Sequence, residues 1–231
     1  VKLALFDRWL FILVLAAWLI RSTVAASPEP FELNDLPEPP LEIRRLIDRG
    51  PLEWGAGLRE ESAGSADKPK LAAETKYRVR YSYHSRTKWK LDESGSKVTI
   101  IVRFTRIGWK PTHRIWFLKM PPIEGFWSDT IVKHELDHLR ISSDPRHQKR
   151  FEERLRQESV FDHPIKDDDV VNKTFVDQLV REHVERIFQN HADLIAIRYQ
   201  ELDRITRHGQ RPVPLDSPIA KLLSESIEAT D

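Results

Sequence analysis

The sequence predicts an α+β fold, with a small antiparallel sheet in its first half followed by helices. Three observations predict it. Tyr77, Val79, Tyr81 and Tyr83 alternate with Arg78, Arg80 and Ser82, the period of two that half-buries a strand. Lys97 to Ile107, rich in Val, Ile, Thr and Phe, follows a Glu93-Ser-Gly-Ser96 turn. After Pro121-Pro122 the apolar spacing turns helical and stays so until Gly209.

In chain order, residues 1–26 read as an export signal. Lys2 and Arg8 precede an unbroken apolar run from Trp9 to Ile20, and Val24-Ala25-Ala26 offers small residues for cleavage after about Ala26. The run is short for a membrane span, which needs ~20 apolar residues. The expected location is therefore periplasmic or extracellular, with membrane association only if this segment stays uncleaved. Residues 27–72 carry Pro28, Pro30, Pro37, Pro39 and Pro40 and are expected to be irregular, a spacer or a pro-segment, with one short helix over residues 41–49. Residues 60–72 read as a flexible loop.

Residues 73–210 are expected to form the folded domain. Thr87 to Leu91 and His113 to Lys119 are further, shorter strand candidates. Ser128 or Asp129 caps the first helix, and Asp144-Pro145 breaks or kinks it. A second helix spans about residues 146–157. A third, long helix spans about residues 170–207, with Gly209 as its closing glycine. Residues 211–231 form a polar tail with one short helical stretch.

Lys and Arg number 37 and Asp and Glu 36, a net charge of +1. Cleavage after Ala26 would remove three bases and one acid, leaving about −1. This balance gives no reason to expect nucleic acid or a polyanionic membrane as the main partner. The absence of cysteine excludes disulfides, thiol catalysis and Cys-ligated zinc. Eight glycines, with only Gly55 and Gly57 close together, leave no phosphate-cradling loop.

The chemistry resides in His134-Glu135-Leu136-Asp137-His138, an H-E-x-x-H sequence. Residues i and i+4 share a helix face, so two imidazoles one turn apart can bind one Zn²⁺. Glu135 beside them is placed to act as a general base on a water activated by the ion. The spacing leaves the third ligand open. Asp144 has metzincin-type spacing, but Ile141 stands where that type needs a turning glycine. The long helix offers His183, His191, Asp193, Glu201, Asp203 and His208, as in gluzincin-like sites. If the helical arms fold back near residue 163, equal rise per residue puts His191 level with the motif.

The chain also resembles the DUF922 family of predicted secreted bacterial zinc-dependent proteases. The resemblance covers about residues 73–210. It rests on Phe126-Trp127-Ser128 leading into H-E-x-x-H, and on Asp203, Thr206, His208 and Gly209 matching a closing Y-D-x-x-T-x-H-G signature, with Leu202 in place of its Tyr and Asp137 in place of a usual Gly. The resemblance implies a zincin-like metallopeptidase acting on a peptide or protein substrate. It implies His208 as third ligand to Zn²⁺ beside His134 and His138, Glu135 as catalytic base, and Asp203 and Thr206 as orienting neighbours. The contrasting expectation is an exported metal-binding or interaction protein without hydrolysis. Arg78 and Arg80 face away from the tyrosines, as a solvated polar face does.

Overall fold

The computed structural model describes residues 29–57 and 71–228. The export signal and most of the expected loop at residues 60–72 lie outside them. The order of elements is β1 (Glu29–Phe31), α1 (Leu41–Ile47), β2 (Leu52–Ala56), β3 (Ala73–Leu91), β4 (Lys97–Phe117), α2 (Thr130–Ser142), α3 (Arg146–Gln157), β5 (Val160–Pro164), α4 (Lys173–Thr206) and α5 (Pro218–Glu228). Strands dominate the first half and helices the second, so the fold is α+β. Among the described residues, no helix is long and apolar enough to cross a membrane.

The sheet is built on one long hairpin. β3 and β4 pair antiparallel from Ala73↔Phe117 to Leu91↔Val98. Asp92 closes the turn by accepting from Ser94, Ser96 and the Lys97 backbone N–H. Four short strands were expected where two long ones run. The sequence suggests a break at Gly108 to Pro111, yet β4 continues through it. Backbone N–H groups alternate sides along a strand. The His113 N–H bonds Pro51 O, so the Pro111 nitrogen two residues earlier faces the same edge. That edge is open there: β5 pairs β4 only over residues 97–101 and β2 only over 113–117. A proline on an open edge removes no ladder bond.

The strand order is β1-β2-β4-β3, with β5 beside the start of β4. Pairing is antiparallel except between β2 and β4. The expectation of an irregular segment over residues 27–72 therefore needs correction. β1, α1 and β2 belong to the domain. Trp54 of β2 and Ile43 and Leu46 of α1 share a core with Phe117, Phe126, Trp127 and Leu136. Pro30 stands in the edge strand β1, and Pro37, Pro39 and Pro40 in the connection before α1, where no inner ladder is interrupted.

A second core lies between the hairpin's other half and α3, α4 and α5, around Ile100, Trp109, Phe151, Leu155, Val184 and Ile195. Tyr77, Val79, Tyr81 and Tyr83 pack onto it, as their period predicts. α2 joins the two cores. Its Val132, Leu136 and Leu139 belong to the first and Ile141 to the second.

Candidate metal centre

Asp129 caps α2 by accepting from the N–H groups of Ile131 and Val132. That fixes the start of a helix whose apolar side is buried in the first core. His134 and His138 then stand one turn apart on the side facing α4, and Glu135 turns toward β3. All three are buried.

α4 supplies the opposite wall with Tyr199, Asp203 and Thr206, which lie on one helix face at i, i+4 and i+7. Asp203 Oδ1 is 3.0 Å from Nε2 of His134 and 3.0 Å from Nε2 of His138, and the two nitrogens are 3.2 Å apart. The His138 ring lies against Tyr199, with centroids 4.3 Å apart. Burial resists ionisation of Asp203, but the hydrogen bonds and charges of His134 and His138 outweigh it and hold the carboxyl well below the usual range.

Thr206 favours one tautomer of a neutral His134 ring. Its hydroxyl donates to Leu202 O at 2.7 Å, so its 3.3 Å contact with His134 Nδ1 is one that Nδ1–H donates. When the ring is neutral in this tautomer, Nε2 presents a lone pair in place of the proton that the charged ring gives to Asp203. That lone pair faces a carboxylate oxygen and a second imidazole nitrogen. Such an arrangement calls for a cation, and two nitrogens with one oxygen suit a divalent metal of borderline softness. His134, His138 and Asp203 thus form a group that could hold a metal ion.

Glu135 lies beside this group, 3% exposed. Thr75 Oγ1 donates to Glu135 Oε2 at 2.6 Å and lies 3.2 Å from its backbone oxygen. Burial pushes the Glu135 carboxyl up, opposed by His138, Thr75 and His134. The result is a carboxyl that takes a proton more readily than an exposed one.

The structure does not bring His208 into the group. Asp203, expected as an orienting neighbour, stands at the third corner instead. His208 is 56% exposed, with Nδ1 3.5 Å from Asp203 Oδ1. The chain leaves α4 through three successive positive φ values, at Arg207, His208 and Gly209. That turn presses Gly209 onto His134 and leaves the His208 ring at the solvent margin.

The remaining candidates are engaged elsewhere. His191 meets His147 Nδ1 at 2.9 Å, Asp144 is clasped by Arg146, and Glu201 pairs with Arg204 on the surface. The levelling argument chose the right helix with the wrong centre. His134–Asp203, His138–Tyr199 and His147–His191 all share a midpoint close to residue 169. β5 and the connection to Asn172 occupy the stretch where the turn was expected, so the level point moves from His191 toward Asp203.

Four contributors were not anticipated. Thr75 precedes Tyr77 by two, so the alternation already places it on the inner face. Tyr199 precedes Asp203 by four. Ser142 accepts from the Tyr199 hydroxyl at 2.8 Å and donates to His138 O at 3.1 Å, while His113 Nε2 lies 2.8 Å from Ser142 Oγ. These contacts brace the end of α2 against β4 and α4, and nothing in the spacing of His113 and Ser142 announces them.

A surface cleft lies apart from this group, between β5 and α4, lined by Phe161, His183 and Arg186. It holds no part of the motif. Compared with known proteins, the chain matches no family model, no curated protein and no solved structure.

Proposed function

We propose that the protein is an exported zinc-dependent metallopeptidase of the H-E-x-x-H type, in which His134, His138 and Asp203 hold the ion and Glu135 handles the proton. The observation that carries this reading is the convergence of three metal-competent atoms beside a buried carboxyl whose proton affinity is raised. The resemblance to the DUF922 proteases supports it, with Asp203 in the ligand role that the resemblance gave to His208.

When bound, zinc supplies Lewis acidity at the scissile carbonyl. The protein's own groups do the rest. Glu135 accepts a proton from the attacking water at a carboxylate oxygen and delivers it to the leaving amine nitrogen. Thr75 holds that carboxylate in place through Oε2. Thr206 keeps the His134 lone pair directed inward, and Tyr199 packs against the His138 ring. β3 ends the sheet and carries Thr75, so its free edge runs past Glu135 and offers an extended peptide backbone a strand to pair with.

The near-complete burial of Glu135 favours a second reading, an exported metal-binding protein that does not hydrolyse. One experiment separates the two. Purified protein is assayed for metal content and for cleavage of an unstructured protein such as casein, alongside Glu135→Gln and His138→Ala. The peptidase reading expects about one zinc per chain in the parent and in Glu135→Gln, none in His138→Ala, and cleavage by the parent only. Zinc without cleavage would leave the binding protein, and no zinc would remove both.

A further inference from the structure

The outer face of the long hairpin, opposite the tyrosines, is a ladder of like charge. Arg80 stands directly across from Lys110, and Arg86 directly across from Arg103. Arg106 faces His84, and Lys88 and Lys90 follow toward the tip. These seven arginines and lysines are all exposed. None lies within ion-pair distance of a carboxylate among the described residues.

Like charges directly opposite on a sheet destabilise it. A merely solvated face is free to mix signs, as this one does at its two ends, with Glu53 beside Arg114 and Asp162 beside Lys97. The total of +1 therefore conceals a segregation of charge. Asp162 on this face bonds Lys97 and Thr99 and acts on Lys90. The stretch between them and Arg114 nevertheless keeps Arg80, Arg86, Lys88, Arg103, Arg106 and Lys110 together, and such a stretch is complementary to an extended anionic surface.

Two further features identify the kind of surface. Tyr77, Tyr81, Tyr83 and Trp109 of the hairpin pack inward onto the core, and Trp89, 40% exposed, is paired with the buried Ile100 on that same inner side, so the basic face lacks rings on which bases stack. Ile101 and Val160, a cross-strand pair near the tip, are exposed on this same face beside Lys88. Lysine and arginine around a small apolar patch is the composition that settles on an anionic bilayer, with the cations at the headgroups and the apolar pair between them. We infer that the outer face of the β3–β4 hairpin docks the protein on an anionic lipid membrane. This inference is independent of the metal centre.

The test uses the full chain and vesicles of phosphatidylcholine alone or mixed with phosphatidylglycerol, read by flotation. The variant Arg80→Ser/Arg86→Ser/Arg103→Ser/Lys110→Ser removes the two opposed pairs. A charge-keeping variant, Arg80→Lys/Arg86→Lys/Arg103→Lys, controls for shape. The serine variant is expected to bind phosphatidylglycerol vesicles about tenfold or more weakly. Binding of the lysine variant should stay at the parent level, and any affinity of the N-terminal apolar run for neutral vesicles should be equal in all three. Relief of the opposed charges should leave the serine variant's melting temperature unchanged or higher, which verifies its folding. Equal binding of anionic vesicles by parent and serine variant would overturn the proposal. So would tighter binding of duplex DNA than of anionic vesicles at matched salt, lost in the same variant, which would assign the face to nucleic acid.

Discussion

Gly209 packs so closely on His134 that a Cβ at residue 209 would stand 2.9 Å from both Cβ and Cγ of the histidine. Its φ of +77 adds a second barrier to any side chain. The substitution Gly209→Ala must therefore either push the His134 ring off Asp203 or unwind the turn that follows α4. The expected result is a loss of about 1–3 kcal/mol in unfolding stability, together with weakened metal binding. Urea denaturation in chelator and a zinc titration measure the two. Parent-level zinc affinity in this variant would show that the turn does not position His134.

Asp203 and His208 can be told apart by zinc competition against a chromophoric chelator. Asp203 Oδ1 touches both motif imidazoles, whereas His208 stands outside them. Asp203→Asn removes a charged ligand and is expected to weaken zinc by about 100-fold or more, above the range typical of outer-shell changes. His208→Ala should change affinity by only a few-fold, on the same scale. The opposite ranking would return the third corner to His208.

Thr75 acts on the chemistry through Glu135, and its removal should separate metal binding from turnover. Thr75→Val keeps the volume and deletes the donor to Oε2. Zinc content should stay at the parent value while kcat falls by about 10- to 100-fold, the scale of a misplaced general base. Thr75→Ser restores a hydroxyl and should recover most of the rate. Equal kcat in the valine variant would mean that Glu135 holds its position without help.

What could be read from the sequence follows from the range of each signal. Alternation and helical spacing are local, and they located the Tyr77–Tyr83 face, the Asp129 cap, α2 and α4. H-E-x-x-H is also local, since two ligands and the base sit within one helical turn. The third corner depends on how far α3, β5 and their connection carry the chain before it returns. A strand as short as Val160–Pro164 shifts that return by several residues, and this is why His191 looked level. Asp203 and Thr206 were recognisable as neighbours of the site, but their separate roles depend on which atom of each meets which ring nitrogen. The joining of β1, α1 and β2 to the core was hidden for a different reason. Their prolines argue against regular structure by composition, and only the sheet order shows that Pro30 sits in an edge strand and that β2 pairs on both sides.

The buried histidines outside the metal group predict how the fold responds to acid. His113 is 4% exposed, and burial depresses its pKa to about 4. Burial also lowers His147 and His191, which share a hydrogen bond between α3 and α4; around the pair, the charges of Arg150 and Arg198 act in the same direction. In the unfolded chain each returns to about 6.5. Between those values the unfolded state binds more protons, so stability falls as pH falls. The contribution is fully present above pH 6.5 and is lost progressively until pH nears 4, where the folded state itself takes up the protons. For His113 alone the swing is on the order of 3 kcal/mol. Urea unfolding between pH 7 and pH 4.5, in chelator so that metal release does not contribute, should show this decline. His113→Gln keeps a donor toward Ser142 and removes the titration, so its stability profile should be flatter over the same window. A profile as steep as the parent's would place the acid sensitivity in groups other than His113.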